Sequence, residues 1–275
     1  MAVARKRLAT WTLWTILALG ALVMLFPIYW IVVTSLSPKE DLFSNGVQLI
    51  PAHPVWSNYA EATGRVPFWT WTLNSLAIAT LAVVLTVSIN LLCGYAFAKY
   101  EFAGRSSLFL AIVSTLTIPI QVILVPVFIM VAQLGLLNSW WGVILPRAAE
   151  ALGIFMARQF MTSIPDELIE AARLDGAGEF RIFWSIVLPN AKPIIAVLVI
   201  LNFMWRWNDF ALPLVVLSDQ LKLTLQLGIN LMKGQYYIEW TNITALAVLS
   251  LLPVLVIFIF FQRYLVQGIA STGMK

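Results

Sequence analysis

Ile164-Pro-Asp-Glu-Leu-Ile-Glu-Ala-Ala-Arg-Leu-Asp-Gly-Ala-Gly-Glu-Phe-Arg-Ile-Phe-Trp-Ser-Ile-Val-Leu-Pro189 is a charged island in a chain that otherwise avoids charge. Ser163 and Asp166, with Pro165 between them, form a helix-start signal. Asp166, Glu167 and Glu170 sit where the positive end of a helix favours acids. The spacing predicts a helix as far as Asp175, ended by Gly176 and Gly178. A second helix then carries Phe180, Phe183, Trp184, Val187 and Leu188 at i, i+3, i+4, i+7 and i+8, one apolar stripe. Pro189 and Pro193 bound the entry into the next apolar run. The stretch reads as a helix–turn–helix lying against a membrane face.

Working outward, the flanks are lipid-like. Of 275 residues, 61% are apolar and 11% charged, and mean hydropathy is +0.88. Soluble domains carry roughly 25% charged residues, and one soluble core of this size could not hide so much apolar surface. The net charge of +4 is spread out, without the clustered basic face that nucleic-acid binding needs. Cys93 and His53 are the single residues of their kinds, so neither a disulfide nor an ordinary Cys/His metal site is expected.

A spanning helix needs roughly 20 mostly apolar residues. Uncharged runs cover 8–38, 66–98, 106–146, 193–205 (extended by 210–218) and 240–262. Gly135-Leu-Leu-Asn138-Ser139 splits the third. The chain is therefore expected to be all-α and polytopic, with six helices near 10–34, 72–98, 107–133, 142–161, 193–217 and 242–265. The first run follows Arg5-Lys6-Arg7 but is too long for a signal-peptide core, with no Ala-x-Ala site before Ser35, and reads as a retained helix.

Lysine and arginine placement sets orientation. With the N-terminus inside, inner segments hold Arg5, Lys6, Arg7, Lys99, Arg105, Arg158, Arg173, Arg181, Lys192, Arg263 and Lys275. Outer ones hold Lys39, Arg65, Lys222 and Lys233, and Arg147 and Arg206 fall at membrane depth. Both termini are thus expected in the cytoplasm. The outer loop 35–71 has its tryptophans, Trp56, Trp69 and Trp71, placed for an interfacial belt.

Glu170-Ala-Ala, then Asp175-Gly-Ala, then Ile186-x-Leu-Pro189 with Pro193 resembles the EAA loop of binding-protein-dependent ABC importer permeases, in their carbohydrate-uptake branch. The resemblance extends to Trp207-Asn-Asp-Phe210 with Pro213, to Ile118-Pro-x-Gln121 with Pro126, and to the tail Gly268-Ile-Ala-Ser-Thr-Gly-Met-Lys275. It implies a type I importer permease fold, with residues 1–275 as one transmembrane permease domain and 162–192 as its cytoplasmic coupling loop. It also implies a bacterial or archaeal cell membrane, two ATPase subunits (or a homodimer) that bind the ATP and Mg, a second and distinct permease chain, and an extracytoplasmic solute-binding protein. It implies no cofactor for this chain itself. In the family, the loop's first helix docks on the ATPase. Ala171, Ala172, Gly176 and Ala177 would allow close backbone approach, and Glu170, Arg173 and Asp175 would supply charge-assisted hydrogen bonds. Without the resemblance, an amphipathic helix resting on headgroups serves as well.

Asn202, Arg206 and Asp209 fall at i, i+4 and i+7 of the fifth helix, flanked by Trp205, Trp207 and Asn208. Ionisable groups within a bilayer normally face the bundle interior or a water-filled cavity. The stripe could line a solute path, tie helices through an Arg206–Asp209 pair, or meet a partner subunit. Arg147 and Glu150 read as a structural pair, and Asn74 and Asn90 as interhelical hydrogen bonders. No phosphate-binding loop is present, so ATP hydrolysis is not expected of this chain. A gradient-driven transporter would want internal repeats and discontinuous helices, and a scaffold or receptor would leave the charged island unexplained.

Overall fold

A computed structural model describes residues 2–44, 49–51, 53–234 and 239–272. Among them every regular element is helical: α1 (Ala2–Leu36), α2 (Ser57–Arg65), α3 (Phe68–Lys99), α4 (Arg105–Ser114), α5 (Ile120–Gln133), α6 (Ala151–Met161), α7 (Asp166–Leu174), α8 (Lys192–Trp207), α9 (Leu225–Leu231) and α10 (Trp240–Thr272), with shorter turns between. The predicted segments are largely helical, but only three run unbroken at spanning length: Thr10–Leu36, Phe68–Lys99 and Trp240–Phe260; counting each of two bent helix pairs as one span gives at most five among the described residues.

Proline explains the breaks. Arg105–Thr117 and Ile120–Gln133 meet at 107°. Ile118, extended at ψ 114°, precedes Pro119, the N-cap of α5, as expected where the proline ring excludes αR for its predecessor. The fourth segment is Trp140–Ile144 and a 3₁₀ turn around Pro146, then α6. In the fifth, α8 stops at Trp207 and a short helix, Ala211–Val216, follows. Pro213 cannot donate to the Asp209 carbonyl and crowds it, which opens the chain at 208–210.

The chain forms two compact units. The first comprises 1–68 and 229–252. There the apolar surface of α1 is turned outward, only 6% of its spanning window being buried. Its C-terminal end is tied down by Asn58, whose Nδ2 donates to the Ser35 and Ser37 carbonyls at 3.0 Å each. Beside it Lys39 and Arg65 both reach Glu61 and Glu239. The Arg65 guanidinium, with Lys39 close by, holds the Glu239 carboxyl below its ordinary range.

The second unit, 69–228 with 253–275, is built on α3, whose spanning window is 44% buried. Helices α3 and α6 approach through small residues. A Cβ on Gly94 would stand 2.5 Å from that of Ala157, and one on Gly153 only 1.9 Å from Asn90 Nδ2. Close backbone approach at small residues is how helices associate where lipid removes the hydrophobic drive. Trp71 is buried here, its Nε1 donating to the Gln220 carbonyl at 2.7 Å. It therefore leaves the interfacial belt the sequence assigned it, while Trp56 and Trp69 stay exposed. Asn74 is a structural hydrogen bonder, but its partners are the Leu221 and Leu223 carbonyls, in the 3₁₀ turn Gln220–Lys222 and the loop after it rather than in a neighbouring spanning helix.

Candidate functional site

The charged island folds as α7, a turn and a second helical stretch. Helix α7 starts at Asp166 with Pro165 as its N-cap, later than the signal at Ser163 implies, and the Ser163 hydroxyl donates instead to the Phe160 carbonyl. Asp166 is taken by Lys99 at the end of α3, whose Nζ lies 2.6 Å from Oδ1 and 2.5 Å from the Ile164 carbonyl. At the far end Gly176 has φ +80°. The Ala177 amide returns to the Ala172 carbonyl and the Gly176 amide to that of Arg173, at 2.9 and 3.0 Å. This is a Schellman closure, which needs the left-handed conformation glycine adopts at no steric cost.

The turn holds its shape through Glu179. Arg173 Nε donates to Oε1 at 2.7 Å and the Tyr100 hydroxyl donates to Oε2. The Arg173 guanidinium, then the Tyr100 hydroxyl, keep the Glu179 carboxyl below its ordinary range. Tyr95 meets Tyr100 edge-on and also packs on Phe183, both at 5.4 Å between ring centres. So Tyr95, Lys99 and Tyr100 at the end of α3 grip the loop from within. From spacing alone Lys99 is only one of the inner-segment cations and Tyr100 carries no signal, since their partners lie more than sixty residues away.

The outward side of the loop is mixed. Glu170, Ala171, Arg173, Asp175 and Gly176 are exposed, and Ala177 is half-buried. Leu174, Phe180 and Trp184 stand out beside them, Leu174 at 89% exposure. Ala172 is 9% exposed and faces inward with Ile169. The apolar stripe predicted from Phe180 to Leu188 is split: Phe183 and Val187 are buried, Phe180 and Trp184 are not. The reason is a π turn over Phe183–Val187, whose wider winding breaks the 3.6-residue register.

A second constellation joins the breaks of the fourth and fifth segments. Arg147 Nε lies 3.2 Å from Glu150 Oε1 and its Nη1 3.1 Å from Asp209 Oδ2. Arg206 Nη2 reaches the same Glu150 oxygen at 3.2 Å and also the Arg147 carbonyl. Four charges thus alternate in sign along one chain of contacts. The Arg147–Glu150 pair is as predicted. Arg206 and Asp209 do not pair with each other; each takes its partner from the neighbouring segment, because the break at 208–210 swings Asp209 off the helix face. The Arg206 side chain is only 1% exposed, and its Nε and Nη1 have no hydrogen-bond partner among the described residues. Asn90 Oδ1 accepts from the Glu150 amide at 3.2 Å, tying α3 to the network.

The family profile of the "Binding-protein-dependent transport system inner membrane component" matches residues 90–271. The chain belongs to this family. It is similar to the arabinooligosaccharides transport system permease proteins AraQ of Halalkalibacterium halodurans, 35% identical over 97% of this chain and 96% of the relative, and of Bacillus subtilis, 33% identical over 93% and 92%. It is also similar to the sn-glycerol-3-phosphate transport system permease protein UgpE of Yersinia pestis, 34% identical over 93% and 94%. Among solved structures, a bacterial ABC transporter involved in the import of the acidic polysaccharide alginate has a chain matching at TM-score 0.81 and 26% identity, over 94% of this chain and 97% of that one.

In this inner membrane component the remaining predicted site residues divide by burial. Asn202 and Trp207 are buried, Asn202 donating to the Leu198 carbonyl at 2.9 Å and Trp207 stacked on Phe203 at 5.9 Å. Asn208 is exposed at the break, next to Asp209. Of the tail motif, Gly268–Thr272 continue α10, and Gly273, Met274 and Lys275 lie outside the described residues. Among the described residues no group of His, Cys, Asp or Glu side chains could hold a metal ion.

Proposed function

We propose that this chain is the membrane-spanning permease subunit of an ATP-driven, binding-protein-dependent importer of sugars or sugar-like solutes. It would cross the membrane six times with both termini in the cytoplasm. It would work with a second, related permease, two ATPase subunits that carry the ATP and Mg, and a solute-binding protein outside. The observation that carries this reading is the loop of α7. Its outer side joins charge, small residues and bare apolar side chains, while its inner side is clamped to α3 by Lys99 and Tyr100. Such a part passes a push from a docked protein into a spanning helix, whereas a helix resting on headgroups needs no clamp. The substrate class rests on the relatives, whose names specify arabinooligosaccharides and sn-glycerol-3-phosphate.

Transport would proceed by alternating access. ATP closes the ATPase pair, the docked loops move together, and the path opens toward the loaded binding protein; hydrolysis resets it. Asn208, exposed at the break between α8 and Ala211–Val216, is the predicted residue of the fifth segment best placed to face the path. Asn202, Arg206, Trp207 and Asp209, the last with its side chain 9% exposed and paired with Arg147, stand behind it as the wall. Uptake into vesicles tests the reading. It should require ATP on the loop side together with the binding protein, and should survive collapse of ion gradients. Uptake driven by a gradient without ATP would overturn it.

A further inference from the structure

Where α3 ends and α4 begins, a cleft of about 640 Å³ opens, with Arg105 and Arg158 in its wall. Arg158 Nε donates to the Phe97 carbonyl at 3.2 Å, and its guanidinium lies 4.3 Å over the Phe109 ring. Among the described residues it has no carboxylate partner. Arg105 donates to the carbonyls of Phe97 and Ala98 at 3.0 and 3.3 Å, so both cations are fixed at one helix end. Arg105 also pairs with Glu101, the one acid of the cleft, whose side chain is 91% exposed.

Helix α4, ten residues long, opens into this cleft with Gly104 at its N-cap and no side-chain cap. The Ser106 and Ser107 amides have no backbone partner there, and their side chains line the cleft. Two guanidiniums, one acid and a bare helix N-terminus favour an anion with several acceptor oxygens. Above the basic floor the wall turns apolar through Phe102, Leu110 and Val113, and Leu110 is turned outward along α4. The floor lies at the end of the candidate span Phe68–Lys99, the level at which headgroups sit. An inorganic anion would use only the floor, whereas a phospholipid would use floor and wall.

We propose that this cleft binds the phosphate headgroup of an anionic phospholipid, its acyl chain lying along the apolar side of α4. Arg158 gives the principal hydrogen bonds, Arg105 the second positive charge, and the start of α4 the remaining donors. Basic pockets between spanning helices are a recurrent seat for anionic lipids. The site is independent of how transport is powered.

Native mass spectrometry of the full-length chain, purified with its accompanying subunits and mixed with phosphatidylglycerol or phosphatidylcholine, tests it. One phosphatidylglycerol should be retained in preference to phosphatidylcholine. Arg158→Gln should lower that retention about fivefold or more, equivalent to roughly 1 kcal/mol or more, and excess inorganic phosphate should not displace the lipid. Ser107→Glu, which suits a helix N-terminus but sets a carboxylate in the cleft, should do the same and decides the matter if Arg158→Gln does not fold. Equal retention of the two lipids, or unchanged retention in the folded variants, would overturn the proposal. So would displacement by inorganic phosphate, which would assign the cleft to a free anion.

Discussion

Arg206 is the residue whose surroundings decide how the centre of the second unit is read. A buried guanidinium with a single carboxylate contact leaves much of its charge uncompensated, and removing that partner is costly. Double-mutant cycles of thermal stability in detergent should give coupling of about 1–3 kcal/mol for Arg206 with Glu150 and for Arg147 with Asp209. The coupling between Arg206 and Asp209, which share the network without touching, should be the weakest of the three. The reverse pattern would restore the pairing along one helix that the spacing suggested. Glu179 poses the matching question in the loop. Its carboxyl is held below its ordinary value near 4.5 by Arg173, so the ion pair's stabilisation is complete at neutral pH. It is lost as pH falls through that lowered value. Protection against hydrogen exchange across 173–180, corrected for the intrinsic rate at each pH, should therefore fall below pH 4.5, and Glu179→Gln should flatten the profile.

Among the elements, α3 and α6 bear the tightest contact. A side chain on Gly153 would enter the space of Asn90, which also holds the Glu150 amide. Gly153→Ala should cost about 1–3 kcal/mol through overpacking, and a larger side chain should abolish assembly in the membrane. A normal melting temperature for Gly153→Leu would mean that the two helices part readily. At this scale the sequence was informative about where helices lie and silent about where they stop. The apolar runs that carry the three unbroken spanning helices and the Gly176 terminator were legible because hydropathy and positive φ are local properties. The bends at Pro119 and before Pro213 were marked by proline, but a proline in a hydrophobic run predicts a kink without its angle. The π turn over Phe183–Val187 has no local signal, so the apolar stripe was drawn with the wrong register. The crossed pairing of Arg147 and Arg206 needed the break at 208–210, a tertiary outcome no spacing rule contains.

For the whole molecule, the proposed function requires the α7 loop to transmit force between an ATPase and the end of α3. The Schellman turn at Gly176 sets the angle of the loop, and the open space beside it means that a substitution there suffers from backbone strain rather than collision. Gly176→Asp and Glu170→Lys should each abolish ATP-driven uptake while leaving the protein in the membrane at wild-type amount. Loss of the protein itself would point to a folding role instead. The most direct test uses the two faces of one helix. In a Cys93→Ser background, Ala171→Cys on the outward side should form a crosslink to the ATPase subunit, and Ala172→Cys on the inward side should not. Equal crosslinking of both, or of neither while uptake persists, would contradict the assignment of this loop as the coupling element.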